Sequence, residues 1–357
     1  MRITSLQLKN FRCFDALTLS FDAPIILIEG LNGAGKTSLL EALHYLCYLR
    51  SFRTHLPQEL IQFGHDNFFI KAQLQAQDAT DHEVQVGFGN KKRLVKVDNQ
   101  AITSYKELLQ LYRIVTVTED DLGLIKEGPE IRRLFVDGHA VLSNPDFALV
   151  LRRSKDIVEN RNALLKKGGS FESYQLWSQQ LWARSSTIQE TRIALLAGLQ
   201  QEIEKLIQRY FMQEFSISLS YAPKKKLLAS WEEFYAHSPN LYSEEMRFAR
   251  SLFGAHLDDF TIHFKEAKSK NFASRGQQKL IAILIKAAQL KLLGQQDRPA
   301  ILLLDDFMTD FDHAKIQIVL KLLKELEIQL IFTCPTPASP LEKALTEYSA
   351  SILKLTN

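Results

Sequence analysis

Three uninterrupted apolar runs stand out along the chain: PIILIEG at 24–30, AILLLDDF at 300–307 and IQLIFTC at 328–334. Continuous runs of this length predict strands buried on both faces, as in a parallel sheet. Around the first run, ITSLQLKNF (3–11) and ALTLSF (16–21) alternate apolar and polar positions and predict half-buried strands. TSLLEALHYLCYL (37–49) follows with apolar residues at helical spacing. Alternation returns between Phe68 and Val97, around Val84 and Val86. NKKRLVKVDNQ (90–100) then reads as a hairpin and RIVTVT (113–118) as a further strand.

From Gly128 to Met212 the period changes to three or four, in segments such as LWSQQLWARSSTIQETRIALL and LQQEIEKLIQRYF. KKGGS near Gly168 breaks this region into separate helices, and no heptad pattern persists as a coiled coil. After about Glu244 the alternation of helix and strand resumes, with GQQKLIAILIKAAQLKLL and IQIVLKLLKEL as helices flanking the second apolar run. The pattern predicts an α/β fold split in sequence by a compact helical lobe, with boundaries at 1–127, 128–245 and 246–357.

Composition narrows this little. The 357 residues are 46% hydrophobic and carry a net charge of +3, ordinary for a folded chain with a sizeable core. Cys13, Cys47 and Cys334 are scattered without CxxC spacing, which argues against zinc or a disulfide framework and predicts buried thiols in a reducing compartment. MRITSLQLKNF has no signal-peptide core, and no run approaches the roughly 20 apolar residues of a membrane span. A cytoplasmic protein without a membrane partner is expected.

Gly30-Leu31-Asn32-Gly33-Ala34-Gly35-Lys36-Thr37 matches GxxxxGK[ST] in full, between a predicted buried strand and a predicted helix. Glycines at those positions let backbone N–H groups converge on phosphate oxygens, and the helix aims its positive end at the same anion. Lys36 would place a point charge on the β- and γ-phosphates of ATP. Thr37 would offer a hydroxyl to Mg²⁺, with Ser38 next in the loop. Asp305 and Asp306 end the second apolar run. In a parallel sheet beside the phosphate-loop strand they would lie at the carboxyl edge, where ligands bind. There Asp305 would reach the Mg²⁺ shell, and Asp306 would orient or deprotonate an attacking water. Ser274-Arg275-Gly276-Gln277-Gln278 opens the preceding helix. Ser274 can cap it, and its free amides make a second anion site. One phosphate loop suffices per ATP, so a second sensor implies a partner subunit.

Phosphate loop, SxGQQ signature and LLLDD strand occur in the order found in ABC-type ATPases, and the chain resembles that class. In it two subunits sandwich two nucleotides, so Ser274, Gly276 and Gln277 would meet the ATP held by the other copy. The rest of the chain resembles one branch, the RecF family. LQLKNFRCF (6–14) is similar to its LxLxNFRNY opening, which implies that Arg12 contacts nucleotide. YLRSFRTHLPQELIQFG (48–64), GPEIRRLFVD (128–137), ENRNALLK (159–166), SRGQQK (274–279) and LLLDD (302–306) resemble further family segments in order. The resemblance implies an ABC-type ATPase head interrupted by a helical lobe. It also implies an ATP-dependent homodimer that closes over double-stranded DNA near gaps, helps RecA load with RecO and RecR, and has a DNA-stimulated ATPase; Asp306, a shorter carboxylate than glutamate, predicts that its turnover is slow. Three segments depart from the family pattern. GAHLDD (254–259) has Leu257 where an arginine is usual. Thr309-Asp310-Phe311-Asp312 replaces an SELD-like stretch. Val117-Thr118-Glu119-Asp120-Asp121-Leu122 lacks the family's proline.

Basic clusters occur at Lys91, Lys92, Arg93 and Lys96; Arg152, Arg153 and Lys155; Lys166 and Lys167; Lys224, Lys225 and Lys226; and Lys265, Lys268 and Lys270. Any one of them reads more readily as a solvated face than as a phosphate contact, and no base-reading motif is present. The residues leave other readings open. These are an ABC transporter subunit, an ATP-dependent nuclease of the overcoming-lysogenization type, and a scaffold that binds ATP without hydrolysing it.

Overall fold

The computed structural model describes residues 1–76, 80–226, 229–265, 267–269, 273–295, 300–335 and 340–355. The chain forms two compact units, Met1–Leu122 with Ser274–Asn357, and Gly123–Ala273.

The first unit contains two sheets. One is antiparallel, with β1 (Arg2–Phe11), β2 (Phe14–Ser20), β4 (Asn67–Gln75), β5 (Asp81–Gly89), β6 (Lys92–Val97) and β7 (Gln100–Ala101) in the order β2-β1-β4-β5-β6-β7. Its turns carry their own chemistry: Asn90 and Lys91, then Asp98 and Asn99, all have positive φ. Paired positive φ angles are what two-residue hairpins need to match strand twist, so the expected hairpin around 90–100 is present. The other sheet is parallel, with β3 (Ile25–Gly30), β8 (Arg113–Val117), β12 (Ala300–Leu304), β13 (Gln329–Pro335) and β14 (Ser351–Leu355) in the order β14-β3-β13-β12-β8. β3, β8 and β12 are buried at every position, as continuous apolar runs require. One side chain ties the two sheets. Buried Gln329 accepts from the Ile3 N–H at 2.7 Å and donates to the Ile3 carbonyl at 2.8 Å. Helices α1 (Lys36–Tyr48), α2 (Tyr105–Leu111), α9 (Arg275–Gly294), α10 (His313–Lys324) and α11 (Pro340–Leu345) complete this unit.

Strand order corrects one expectation. β12 is not beside the phosphate-loop strand, because β13 pairs with β3 on one edge and with β12 on the other. Cys13 is also exposed, whereas Cys47 and Cys334 are buried as expected.

The second unit holds α3 (Gly123–Lys126), α4 (Pro129–Ser143), α5 (Phe147–Lys167), α6 (Phe171–Phe211), α7 (Trp231–Ala236) and α8 (Leu241–Phe248). It is not purely helical. β9 (Ile217–Ala222), β10 (Asp259–Phe264) and β11 (Ala267–Lys268) form an antiparallel sheet in the order β11-β10-β9. That pairing holds residues 259–264 in this unit, so the chain returns to the first unit at Ser274 rather than near 246.

Two family-like segments meet inside this unit. Arg132 grips Asp259 with two bonds of 2.7 and 2.8 Å, and Arg133 donates to the Asp258 carbonyl at 2.7 Å. The buried Asp258 carboxylate accepts from Gln189 at 2.7 Å, the Tyr221 hydroxyl at 2.6 Å and the Lys224 N–H at 2.8 Å. Arg192 forks onto Asp137 at 2.8 and 2.9 Å and donates to the Ala255 carbonyl at 2.6 Å. Asp259 is therefore committed to Arg132, and the Asp258 carboxylate to an amide, a hydroxyl and a backbone N–H of the same unit, with or without a cation at 257. Of the basic positions, Lys91, Lys92, Arg93, Arg152, Arg153, Lys155, Lys166, Lys167, Lys224, Lys226 and Lys265 are exposed, and Lys270 lies outside the described residues. Among the described residues no helix is long and apolar enough to cross a membrane.

His139 is fully buried on α4, neither ring nitrogen has a partner among the described residues, and burial pushes its pKa down to about 4. His44 is held neutral too, at about 3, by burial first and then by Arg50 and Lys286. The unfolded chain therefore takes up these protons first as pH falls. Their contribution is intact above the unfolded value of 6.5 and is lost on acidification, at about 1.4 kcal/mol per pH unit for each group. His139→Leu should raise the urea midpoint at pH 7, by about 1 kcal/mol in stability, and flatten the decline between pH 6 and 4.5. An unchanged pH slope would contradict the buried neutral imidazole.

Candidate nucleotide site

At the carboxyl end of β3 the chain turns through the phosphate loop into α1. Gly33 and Gly35 both adopt φ +90°. At Gly35 a Cβ would also come within 2.6 Å of Cys13 Sγ and of the Phe14 ring, so backbone conformation and space both demand glycine there. The β1–β2 turn is thereby pressed against the loop. Leu31, Asn32 and Gly33 are exposed at its crown, while Ala34, Lys36 and Ser38 are buried. Lys36 folds back across the loop, and its Nζ donates to the carbonyls of Gly30 and Leu31 at 3.0 and 3.3 Å.

The two halves of the split unit meet at Thr37. Its hydroxyl lies 2.8 and 3.1 Å from the two carboxylate oxygens of Asp305. Thr333, on the intervening strand β13, completes the row. Its Oγ1 is 2.9 Å from Asp305 Oδ1 and 3.1 Å from Asp306 Oδ1, and it accepts from the Asp306 N–H at 2.8 Å. Burial pushes the Asp305 carboxyl upward; the Thr37 and Thr333 hydrogen bonds and then Lys36 oppose this, while the Asp306 charge adds to it. A desolvated carboxylate beside a hydroxyl is a hard-oxygen donor pair suited to Mg²⁺. Among the described residues no three His, Cys, Asp or Glu side chains gather as a metal cage. A cation held by Thr37 and Asp305 would need its other ligands from phosphate and water.

Arg12 is placed differently from the other expected contacts. It has positive φ at the β1–β2 turn, and its guanidinium forks onto Glu41 of α1 at 2.8 and 2.7 Å. A third bond of 2.8 Å reaches the Glu59 carbonyl. Glu41 is fully buried and is also bonded to Ser51. Arg12 therefore neutralises a buried acid behind the loop. Ser274 is exposed and caps α9. Its Oγ accepts from the Gln277 N–H at 3.4 Å, while Gln277 returns a bond of 2.8 Å to the Ser274 N–H. A side chain at Gly276 would meet nothing closer than the Asp310 carbonyl at 4.0 Å, so the helix start is open.

Thr333 and Glu41 were not singled out from sequence. Each left a faint signal: a lone hydroxyl near the end of an apolar strand, and a lone acid on the apolar face of the phosphate-loop helix.

The family model for the RecF/RecN/SMC N terminal domain matches residues 2–349. The DNA replication and repair protein RecF of Shewanella denitrificans is 31% identical over 346 residues, covering 95% of this chain and 93% of that protein. This chain belongs to the RecF family. The solved structure of the recombination mediator protein RecF-ATP in the RecFOR pathway superposes with a TM-score of 0.82 at 25% identity, over 94% of this chain and 93% of that one. An Smc head domain bound to the C-terminal domain of ScpA from Pyrococcus furiosus shares the fold, with a TM-score of 0.56 at 18% identity over 96% and 91% of the two chains. The fold is the ABC-type ATPase fold expected from the order of the motifs.

Removing Arg12 would leave Glu41 buried without its main counter-charge. Arg12→Ala should therefore lower stability by about 3 kcal/mol in a urea titration without nucleotide, and Glu41→Gln in the same background should recover part of it. A midpoint that does not move would show that the pair carries no structural load.

Proposed function

We propose that this protein binds and hydrolyses ATP to control an ATP-dependent homodimer on DNA during recombinational repair. The observation that carries the reading is the convergence of Thr37, Asp305, Thr333 and Asp306 beneath a complete phosphate loop. The loop amides from Gly30 to Lys36 would cradle the phosphates, with Leu31 and Asn32 shaping the rim, Ala34 packed beneath it and Ser38 extending the loop into α1. Lys36 would exchange its carbonyl partners for phosphate oxygens. Thr37 and Asp305 would hold Mg²⁺, which when bound neutralises charge on the β- and γ-phosphates. Asp306 would orient the attacking water and accept its proton. Its carboxylate is shorter than a glutamate's and is turned onto Thr333, which favours slow turnover. Arg12 would act on nucleotide through the loop wall it stabilises, or directly after leaving Glu41.

In the proposed sandwich, Ser274, Gly276 and Gln277 present the start of α9 to the ATP of a second copy. Gln277 would have to release its cap to take part. The named relatives are a DNA replication and repair protein and a recombination mediator of the RecFOR pathway. On that basis we extend the reading to sequence-independent binding of double-stranded and gapped DNA, with RecO and RecR as partners and RecA loading as the output. DNA stimulation of the ATPase belongs to the same proposal.

Light scattering with ATP and gapped DNA tests the reading. The wild-type protein should double in mass when ATP is added. Lys36→Ala and Ser274→Arg should stay monomeric, the first by losing phosphate contact and the second by blocking the helix start. A wild-type protein that ignores ATP, or binds it as a monomer at every concentration, would overturn the proposal.

A further inference from the structure

Lys279 lies one turn into α9 and is fully buried, unusual for a lysine. It forms ion pairs with Glu119, in the loop after β8, and with Asp310 Oδ2 at 2.7 Å. Its ammonium also sits 5.0 Å from the centre of the Phe307 ring. Arg275, on the first turn of the same helix, repeats the arrangement from outside, at 3.1 Å from Asp310 and 3.1 Å from Glu119. Two cations of the signature helix thus hold two acids from two loops.

Asp310 is not an arbitrary anchor. It ends a single 3-10 turn, Phe307–Asp310, whose cap is Asp306. Asp306 has a positive φ of 47°, the Thr309 hydroxyl donates to its carbonyl at 2.9 Å, and Phe307 and Met308 are buried beneath the turn. A displacement of Asp310 would therefore be carried to Asp306 through three intervening residues, of which Phe307 and Met308 are held in place by burial. Glu119 and Asp310 both lie in segments that depart from the family pattern.

We propose that Lys279 is a positioning residue that couples the start of the signature helix to the Asp306 turn of the same subunit, through Asp310. When Ser274 and its amides engage a phosphate on a second copy, the pull on α9 passes through the Lys279–Asp310 pair and sets the Asp306 carboxylate. Engagement of one subunit's signature thereby governs hydrolysis of its own ATP. This rests on the ATP-sandwich reading above.

The test separates binding from turnover. Asp310→Asn keeps the shape of the turn and removes the charge that Lys279 holds, at a partly exposed position where folding should survive. It should bind ATP with Kd and KM within about twofold of wild type, while kcat falls about tenfold through misplacement of the Asp306 turn. Asp310→Glu, which restores the charge, should recover most of the loss, and Lys279→Met should reproduce the Asp310→Asn defect. If Lys279→Met does not fold, the Asp310 pair decides alone. The inference fails if Asp310→Asn turns over like wild type, if Asp310→Glu is as poor as Asp310→Asn, or if the defect appears in Kd. Wild-type protein that neither binds nor hydrolyses ATP fails earlier in the same assay and defeats the functional reading itself.

Discussion

The carboxylate of Asp305 is half-buried at the carboxyl end of a parallel sheet, and loss of water by itself drives such a group toward its neutral form. Two hydroxyls oppose that drive from either side, Thr37 and Thr333. The rest of the head can be read outward from this carboxylate. Thr37 belongs to the first sequence segment of the unit, and Asp305 and Thr333 to the last. The hydrogen bond from Thr37 to Asp305 spans 268 positions in the chain, so a long insertion costs the site little once the sheet has formed. Loop-closure entropy grows only logarithmically with length, which is why a second folded unit can be carried between the halves.

The motifs were legible because each needs a residue type that nothing else supplies. A Cβ at Gly35 would strike Cys13 and Phe14, and the unbroken apolar runs of β3, β8 and β12 suit only strands covered on both faces. Strand order was not legible. Nothing in AILLLDDF or IQLIFTC says which run lies beside β3, because both are equally buried. Thr333 was missed for the same reason: its role depends on β13 standing between the loop and the acids. The strands of the second unit were hidden differently. β9 and β10 are six residues each and follow long helical periods, and their pairing across about forty residues leaves no local mark.

Similarity between sequences reports packing as well as chemistry, and the second unit illustrates the difference. GPEIRRLFVD and GAHLDD look like functional segments when read singly, since they concentrate arginines and aspartates. In the fold they satisfy one another through Arg132 with Asp259 and Arg133 with the Asp258 carbonyl, and Arg192 of α6 joins them by forking onto Asp137 and donating to the Ala255 carbonyl. A buried acid left without such partners would destabilise the unit by several kcal/mol, which is reason enough for these residues to occur together. Leu257 in place of an arginine leaves every one of these bonds intact.

Arg12 raises the same question at the site itself. A guanidinium has five donors in a fixed fork, and here one edge is filled by Glu41 while Nη1 reaches the Glu59 carbonyl. For Arg12 to face a phosphate it would have to surrender a bidentate bond to a fully buried carboxylate, whose remaining support would be Ser51 and a longer contact of 3.7 Å from Arg53. Leaving one partner of a buried pair uncompensated costs more than a single phosphate contact on the surface of the loop would return. Unless Arg53 closes on Glu41 as Arg12 departs, the more economical arrangement keeps Arg12 where it is. Any effect of Arg12 on a bound nucleotide would then pass through the β1–β2 turn, where the neighbouring Cys13 and Phe14 press on Gly35 and fix the path of the phosphate loop.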